Sequence, residues 1–372
     1  MPRALPAPAH PLVGRRNELS ELVSLLSDGR RLVTITGSGG TGKSRLALEV
    51  AGQLLDRFER EVAFVELAPV RDPALVASTL AQTLELTEQP GQAIEDTLRA
   101  RLSQRPSLLV LDNFEHLLDA APFVADLLQT AEPLRVLVAS RSPLHLSGEQ
   151  EYPLEPLEVE EAAALFASRA RAVDPRFDAA PDDELMREIC RRLDCLPLAL
   201  ELAAARVKLL SPQTLLDRLV PRLPLLTGGA RDLPERQRTL RATIDWSYDL
   251  LTAKEQQLFR RLAVFAGGAT LESAEEVCDA DLETLFSLVD RSLIRRRERR
   301  DVTCFWMLET VREYALEQLE ASGEAEDTQA RHAAHFADFV RRAVPELDRS
   351  AGRHWLERAR HELDNLRASS AL

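Results

Sequence analysis

Lysine is nearly absent from this 372-residue chain. Only Lys43, Lys208 and Lys254 occur, and the remaining basic charge is arginine. None of the three follows an asparagine, so the guanine-reading pattern N-K-x-D is missing and adenine is the base expected of a nucleotide site. Cysteine is scarce as well. Cys190, Cys195, Cys278 and Cys304 form no C-x-x-C pair and no zinc spacing, which argues against a disulfide framework or a structural zinc site. Positive charge is in deficit: 47 Lys and Arg against 60 Asp and Glu leave a formal charge of −13. That balance speaks against broad electrostatic binding to nucleic acid or anionic membrane. No uninterrupted apolar run approaches a membrane span, and residues 1–11 are rich in Pro and Ala without an apolar signal core. A cytoplasmic protein with no membrane attachment is expected.

What is present is a glycine loop in a definite context. The run Thr34-Ile-Thr-Gly-Ser-Gly-Gly-Thr-Gly-Lys-Ser44 fits G-x-x-x-x-G-K-[ST]. An apolar segment precedes it at 32–36, and helix formers follow from Arg45. Strand, glycine loop and helix together define a phosphate-binding P-loop. Gly37, Gly39, Gly40, Thr41 and Gly42 let successive N–H groups face phosphate oxygens, and the helix start through Arg45 adds its positive dipole end. Lys43 then neutralises the outer phosphates, and the Ser44 hydroxyl is a candidate Mg²⁺ ligand. Gly37, Gly39 and Gly42 also satisfy the dinucleotide pattern G-x-G-x-x-G, with Glu66 near the distance of a ribose-binding carboxylate. That weaker pattern requires neither Lys43 nor Ser44.

The second half of the site lies at 108–112, where an apolar strand ends on Asp112, the form of a Mg²⁺-holding carboxylate. Many ATPases place a second carboxylate directly after it to activate water. Here the next residue is Asn113, whose amide orients water but takes no proton. Glu115 substitutes only if the turn brings it back, so slow hydrolysis is expected. Val136-Leu-Val-Ala-Ser-Arg141 ends another strand with an arginine. Arg141 either reads a terminal phosphate or pairs with surface acids, and its strand-end position favours the first.

The chain also predicts its own organisation. Nearly continuous apolar strands at 32–36, 62–67, 108–112 and 135–140, with a short one at 151–154, alternate with helices such as 73–84, 93–103 and 121–131. This predicts an α/β P-loop domain, a parallel sheet with helices on both faces, over 12–155 after a flexible segment at 1–11. Residues 156–230 carry only helical periodicity, an all-α helical domain. Residues 231–322 read as helices, then the strand–turn–strand 293–308 with Arg295–Arg300 at its tip, then a helix, which is the order of a winged helix. Leu282, Leu285, Phe286 and Val289 give one of these helices its apolar stripe. Residues 323–372 begin a further helical region. His332, His335, His354 and His361 read as surface helix residues, and Trp246, Trp306 and Trp355 as core.

With these residues in place, the chain resembles the STAND class of signal-transduction ATPases, of the NB-ARC type, and looks similar to bacterial regulators of the AfsR and large LuxR-like kind. The resemblance covers 12–319. Leu12-Val-Gly-Arg15 resembles the leading motif, which implies that the Val13 backbone and Arg15 contact adenine; Arg16 stands where relatives often have Glu. Cys195-Leu-Pro-Leu-Ala-Leu200 resembles G-L-P-L-A, implying that Pro197 packs on the nucleotide, with Cys195 in place of glycine. Residues 239–251 resemble the opening of the winged helix, and Leu308 replaces the histidine of M-H-D that touches the ADP phosphate. The resemblance implies a slow ATPase that switches between ADP and ATP with Mg²⁺, opens and self-associates. Its signal, a ligand or protein, is received by a C-terminal tetratricopeptide-like sensor that 323–372 begins. It implies transcriptional or other regulatory output. Two alternatives stay open: a winged-helix DNA-binding regulator, against which the charge speaks, and an energy-coupled AAA-like ATPase, for which Asn113 is awkward.

Overall fold

Five short segments become one parallel sheet because four of them are apolar on both faces and can be covered on both. In the computed structural model the described residues are 5–8, 10–87, 91–178, 183–229, 238–299, 302–346, 359–360 and 362–370. They divide into two compact units, 1–191 with 195–208, and 192–194 with 209–372. The strands of the first unit are β1 (Leu32–Thr36), β2 (Val62–Glu66), β3 (Ser107–Asp112), β4 (Leu134–Ala139) and β5 (Glu149–Pro153), in the spatial order β2-β3-β4-β1-β5. All pairings are parallel. Every residue of β1 and β3 is buried, whereas β5, an edge strand rich in Glu and Gln, is half-exposed.

Helices cover both faces. On one, α1 (Arg16–Ser27) and α2 (Lys43–Gln53) bury Leu22, Leu46 and Val50 against Val33, Ile35, Val110 and Leu137. On the other, α3 (Val76–Thr83), α4 (Ile94–Leu102) and α5 (Ala121–Thr130) cover Leu109, Leu111, Val136 and Val138. Alternate residues of one strand thus enter opposite cores, as the period of two demands. The same unit continues into α6 (Val159–Val173), most of α7 (Glu184–Arg192) and α8 (Pro197–Ala204); α6 and α8 bury alanine- and leucine-rich faces, and α7 buries Met186, Ile189 and Cys190.

The second unit holds α9 (Pro212–Asp217), α10 (Leu240–Asp249), α11 (Ala253–Leu262), β6 (Ala269–Thr270), α12 (Leu271–Cys278), α13 (Leu282–Asp290), β7 (Arg295–Arg299), β8 (Val302–Trp306), α14 (Glu309–Ser322), α15 (Ala325–Ala343) and α16 (Leu363–Ser370). Helices followed by an antiparallel β7–β8 ribbon, joined at its β8 side by β6, make a winged helix. Local chemistry sets its ends: Thr252 and Glu255 form a complete capping box at α11. At α14 the N-cap is Leu308, which has no capping side chain. Its first N–H groups donate instead to Asp194, from Glu309 at 3.1 Å and Thr310 at 2.8 Å.

Several expectations are corrected in this unit. Arg295–Arg299 are the strand β7 itself rather than a turn, and Arg300 lies outside the described residues. Arg295 and Arg297, two apart and so on one face, stack over Trp306 at 5.5 and 5.4 Å, while Arg296 pairs with Glu298. Trp306 and Trp246 are therefore half-buried rather than core, and Trp355 lies outside the described residues. Of the stripe on α13, Leu285 is buried while Leu282 and Phe286 are 64% and 61% exposed. Core contact follows Thr284, Leu285 and Leu288, about a third of a turn away.

His332 is no surface residue. It is buried between Phe265 and Phe336, with ring centroids 5.0 and 4.7 Å away. His335 instead lies 2.7 Å from Glu276, and His354 and His361 lie outside the described residues. Burial, with a smaller contribution from neighbouring His335, lowers the His332 pKa to about 4 against the opposing hydrogen bond of Asn365. Above pH 6.5 the ring is neutral in both folded and unfolded chains. As pH falls from about 6.5 to 4 the unfolded chain takes up a proton that the folded one refuses, so stability declines by on the order of 2 kcal/mol. Thermal melts between pH 7.5 and 4 should show His332→Leu losing less stability than wild type over this window, and parallel curves would remove the effect from His332.

Candidate functional site

The glycine loop leaves β1 and wraps to α2 with Gly37, Gly40 and Gly42 at φ of +151°, +84° and +93°. Close approach as well as φ demands glycine here. A Cβ on Gly37 would lie 2.8 Å from the Leu154 carbonyl, and one on Gly40 would lie 3.0 Å from Leu198 Cβ. The loop is braced from within, since Thr41 is buried and its hydroxyl donates to the Ser38 carbonyl at 2.8 Å. Helix α2 has no side-chain cap and no acidic residue in its first turn. Its leading N–H groups and dipole therefore face the loop uncompensated by the chain, which is the condition for an anion cradle.

Lys43 turns its ammonium inward, donating to the carbonyls of Gly37 at 2.6 Å and Ser38 at 3.0 Å. Burial lowers its pKa to about 8, with Glu115 and Asp112 opposing and Arg141 assisting the shift. The Ser44 hydroxyl donates to Asp112 Oδ1 at 2.7 Å across the loop. Burial raises the Asp112 pKa to about 6, which the Ser44 hydrogen bond opposes and Glu115 reinforces. A carboxylate held against its solvation preference beside a hydroxyl suits a hard divalent cation that keeps most of its waters. Among the described residues no group of three or more His, Cys, Asp or Glu could hold a metal alone. Mg²⁺, which is seldom caged by protein, fits this pair.

Strand order explains the remaining charges. Because β4 lies between β1 and β3, its end brings Arg141 into the middle of the edge that carries the loop and Asp112. After Asp112, Asn113 adopts the left-handed conformation, φ +64°, that Asn tolerates better than most residues. The 3₁₀ turn Phe114–His116 follows, pinned by the fully buried Phe114 and by His116 Nε2, 2.6 Å from the Val70 carbonyl. This turn brings Glu115 back. Its carboxylate is buried and lies 3.3 Å from Arg141 Nε. The two readings of Arg141 thus meet in one residue, since it sits at the site edge and also holds an acid.

Arg15 is buried with φ +63°, and its guanidinium donates to Glu18 at 2.6 Å, to the Glu155 carbonyl at 2.5 Å and to the Thr41 carbonyl at 3.5 Å. It ties the leading motif to the glycine loop. Half-buried Val13 precedes it. Arg45 pairs with Glu49 and donates to the His10 carbonyl, so toward the loop it offers only its backbone. Pro197 lies over the loop, 3.8 Å from a Cβ on Gly42, and Leu198 N donates to the Gly40 carbonyl at 3.2 Å. Asp194 and Cys195 both take positive φ, 53° and 51°, so the turn that favours glycine is kept with cysteine in it.

One contributor was missed. Glu161 accepts from Arg15 N at 3.0 Å, and its carboxyl would be struck at 2.5 Å by a Cβ on Gly14. The glycine of the leading motif was the available signal, a backbone position with something packed hard against it. Glu66, the acid of the dinucleotide pattern, instead pairs in register with Asp112 on the adjoining strand.

The site and fold define a P-loop ATPase followed by a winged helix. The family described as AAA domain matches residues 26–151, and that described as Winged helix-turn-helix domain matches 251–320. A Mycobacterium tuberculosis protein provisionally named an HTH-type transcriptional regulator is 44% identical over 351 residues, 92% of this chain and 39% of that protein. An uncharacterised protein of the same organism is 41% identical over 334 residues, 87% of this chain and 85% of its own length. Regulatory protein AfsR of Streptomyces griseus is 29% identical over 79% of this chain and 31% of its own. The chain belongs to the family of that uncharacterised protein, among the STAND-like regulatory ATPases, and spans about two fifths of the first relative. No helix among the described residues is long and apolar enough to cross a membrane.

The Gly37 contact makes a test. Gly37→Ala must displace backbone at both 37 and 154, so it should lower the melting temperature and weaken phosphate-ligand binding at least about tenfold. Gly52→Ala, with nothing within 4 Å, is the matched control and should be neutral or slightly stabilising. Equal behaviour of the two variants would remove the steric account.

Proposed function

We propose that this chain is the ATP/ADP-operated core of a regulatory switch with slow hydrolysis. The single observation that carries this reading is the Ser44–Asp112 contact at 2.7 Å, a hydroxyl and a buried carboxylate placed together beside Lys43 and the glycine loop. Gly37, Gly39, Gly40, Thr41, Gly42, Lys43, Ser44 and the Arg45 backbone cradle the phosphates, Ser44 and Asp112 hold Mg²⁺, and Arg141 reads the terminal phosphate. Val13 and Arg15 border the adenine, and Pro197 closes over the nucleotide. Mg²⁺ supplies charge neutralisation between the outer phosphates when bound. The organisation this reading implies is a nucleotide domain at 12–155, a helical domain at 156–230, a winged-helix domain at 231–322 and the start of a sensor region from 323. ADP favours a closed form. ATP together with a signal favours opening and self-association. Leu308 is buried and apolar, so it cannot donate the hydrogen bond to an ADP phosphate that its histidine counterpart makes.

Two measurements test this. Chromatography of the nucleotide released on denaturing the purified chain should identify ADP. Calorimetry should show Lys43→Ala losing ATP and ADP affinity by at least about 100-fold with an unchanged circular dichroism spectrum. Undiminished affinity in that variant would sink the phosphate role of Lys43.

The second reading, direct DNA binding through the winged helix, is favoured by the winged helix-turn-helix match and by the regulator's name. Against it stand the −13 charge and α13, which exposes Leu282, Glu283 and Phe286 where a groove-reading helix needs polar or basic groups. Duplex titrations at physiological salt should therefore find no submicromolar, sequence-preferring complex. Finding one, with affinity falling steeply as salt rises, would establish the second reading.

A further inference from the structure

Two cysteines bracket the turn that joins α7 to α8. Cys190 lies in the last turns of α7, and Cys195 stands two residues before Pro197. Cys195 N–H donates to the Cys190 carbonyl at 2.9 Å, the hydrogen bond from the sixth residue to the first with which helices commonly end. Bond lengths along that bridge keep the two Cα atoms within about 7 Å, a span that a disulfide can cross. The same closure commonly packs the side chains of its first and last residues together. The thiols are indeed neighbours: burial, with a smaller contribution from Cys195, pushes the Cys190 thiol up to about 12. Neither residue is in a disulfide. Apolar packing accounts for Cys190, which shares its buried face with Met186 and Ile189. It does not account for Cys195, whose φ of +51° follows +53° at Asp194 and suits glycine better than any residue with a Cβ.

We propose that Cys190 and Cys195 are a dithiol modification site, which an oxidant of the small-molecule disulfide class closes into a disulfide across the turn ahead of Pro197. Cys190 is fully buried and Cys195 is 7% exposed, so the pair is inert while the turn is shut. Reaction follows local opening, which two left-handed residues in succession make less costly here than in the surrounding core. The Cys195 thiolate attacks one sulfur of the small disulfide, whose sulfur–sulfur bond breaks and releases one thiolate. The Cys190 thiolate then attacks the Cys195 sulfur and releases the second. Two protein thiols are oxidised, the small disulfide is reduced to two thiols, and the two protons pass to them. The new bond closes a loop of about six residues and removes the open conformations of the turn. The turn has neighbours that such a bond would hold. The Cys195 carbonyl accepts from Leu157 N–H at 3.2 Å, ahead of α6, and Leu198 N–H donates to the Gly40 carbonyl of the glycine loop.

The test uses the full 372-residue chain, reduced and then incubated with oxidised glutathione. Remaining thiols are blocked with N-ethylmaleimide in denaturant, and trypsin is added without reductant. Cleavage after Arg187, Arg191, Arg192 and Arg206 puts the two cysteines on separate peptides, 188–191 and 193–206. These should be found joined, two hydrogens lighter than the separate pair, and should part with dithiothreitol. The oxidised protein should melt about 3–5 °C above the reduced one, and dithiothreitol should reverse the rise. Cys195→Gly, which suits the backbone of the turn, should show neither the joined peptides nor the rise. Should that variant fail to fold, the wild-type peptide map and melts decide the matter. Maleimide on both cysteines after prolonged oxidation, a lasting glutathione adduct on Cys195, or a bond from either one to Cys278 or Cys304 overturns the proposal. Joined peptides with an unchanged melting temperature overturn the locking of the turn.

Discussion

Four charged side chains, Lys43, Asp112, Glu115 and Arg141, are drawn together at one edge of an otherwise apolar sheet, and none would be acceptable there by itself. Burying an isolated charge costs far more than a small domain can spare. Here the signs alternate, each group has a hydrogen-bonding or ionic neighbour, and for two of them the residual cost of burial shifts the pKa. Lys43 is brought down to about 8 and Asp112 up to about 6, both toward their neutral forms. A polyanion and a divalent cation would relieve both at once. The strand order that brings β4 between β1 and β3 is what creates this concentration of buried charge.

The surroundings follow from keeping that edge in place. The loop can pass close to Leu154 and Leu198 only as glycine, and the helix start at Pro197 rests on it. Arg15 and Glu161 link the leading motif to the loop and to α6. Any ligand that moves the loop must therefore move the helical segment and the leading motif with it. The left-handed pair Asp194 and Cys195, retained without glycine, shows that the turn ahead of Pro197 is held despite a local backbone cost of about 1 kcal/mol per residue.

The second unit repeats one device, a distant polar side chain closing backbone groups that local structure leaves open. Asp194 caps α14 in the absence of a local cap. Asn365 on α16 accepts from Gly267 N–H at 3.1 Å and donates to the Gly268 carbonyl at 2.8 Å. Gly268 sits at φ +88°, where a Cβ would meet the Phe305 carbonyl at 2.7 Å, so the turn before β6 accepts only glycine. Through that turn the start of the C-terminal region is fastened to the winged helix.

The α/β order, the four main strands to within a residue or two, and the P-loop were legible in the sequence. Each rests on a local rule: continuous apolar runs for doubly covered strands, glycine where φ is positive, lysine and serine at a helix start. Asp112 and Arg141 were legible for the same reason, being polar residues at apolar strand ends. The errors arose where periodicity names a face but not its partner. The α13 stripe mixed exposed Leu282 and Phe286 with buried Leu285, His332 was assigned to the wrong environment, and a run of arginines is a strand whose Arg295 and Arg297 stack over Trp306. Only the tertiary structure decided what Glu115, Glu161 and Asn365 do, since their partners lie 26, 146 and about 98 residues away in the chain. The sequence alone determined which groups exist and what local backbone they prefer. Which charges share a buried edge depended on the order of strands in space, and no local preference encodes that order.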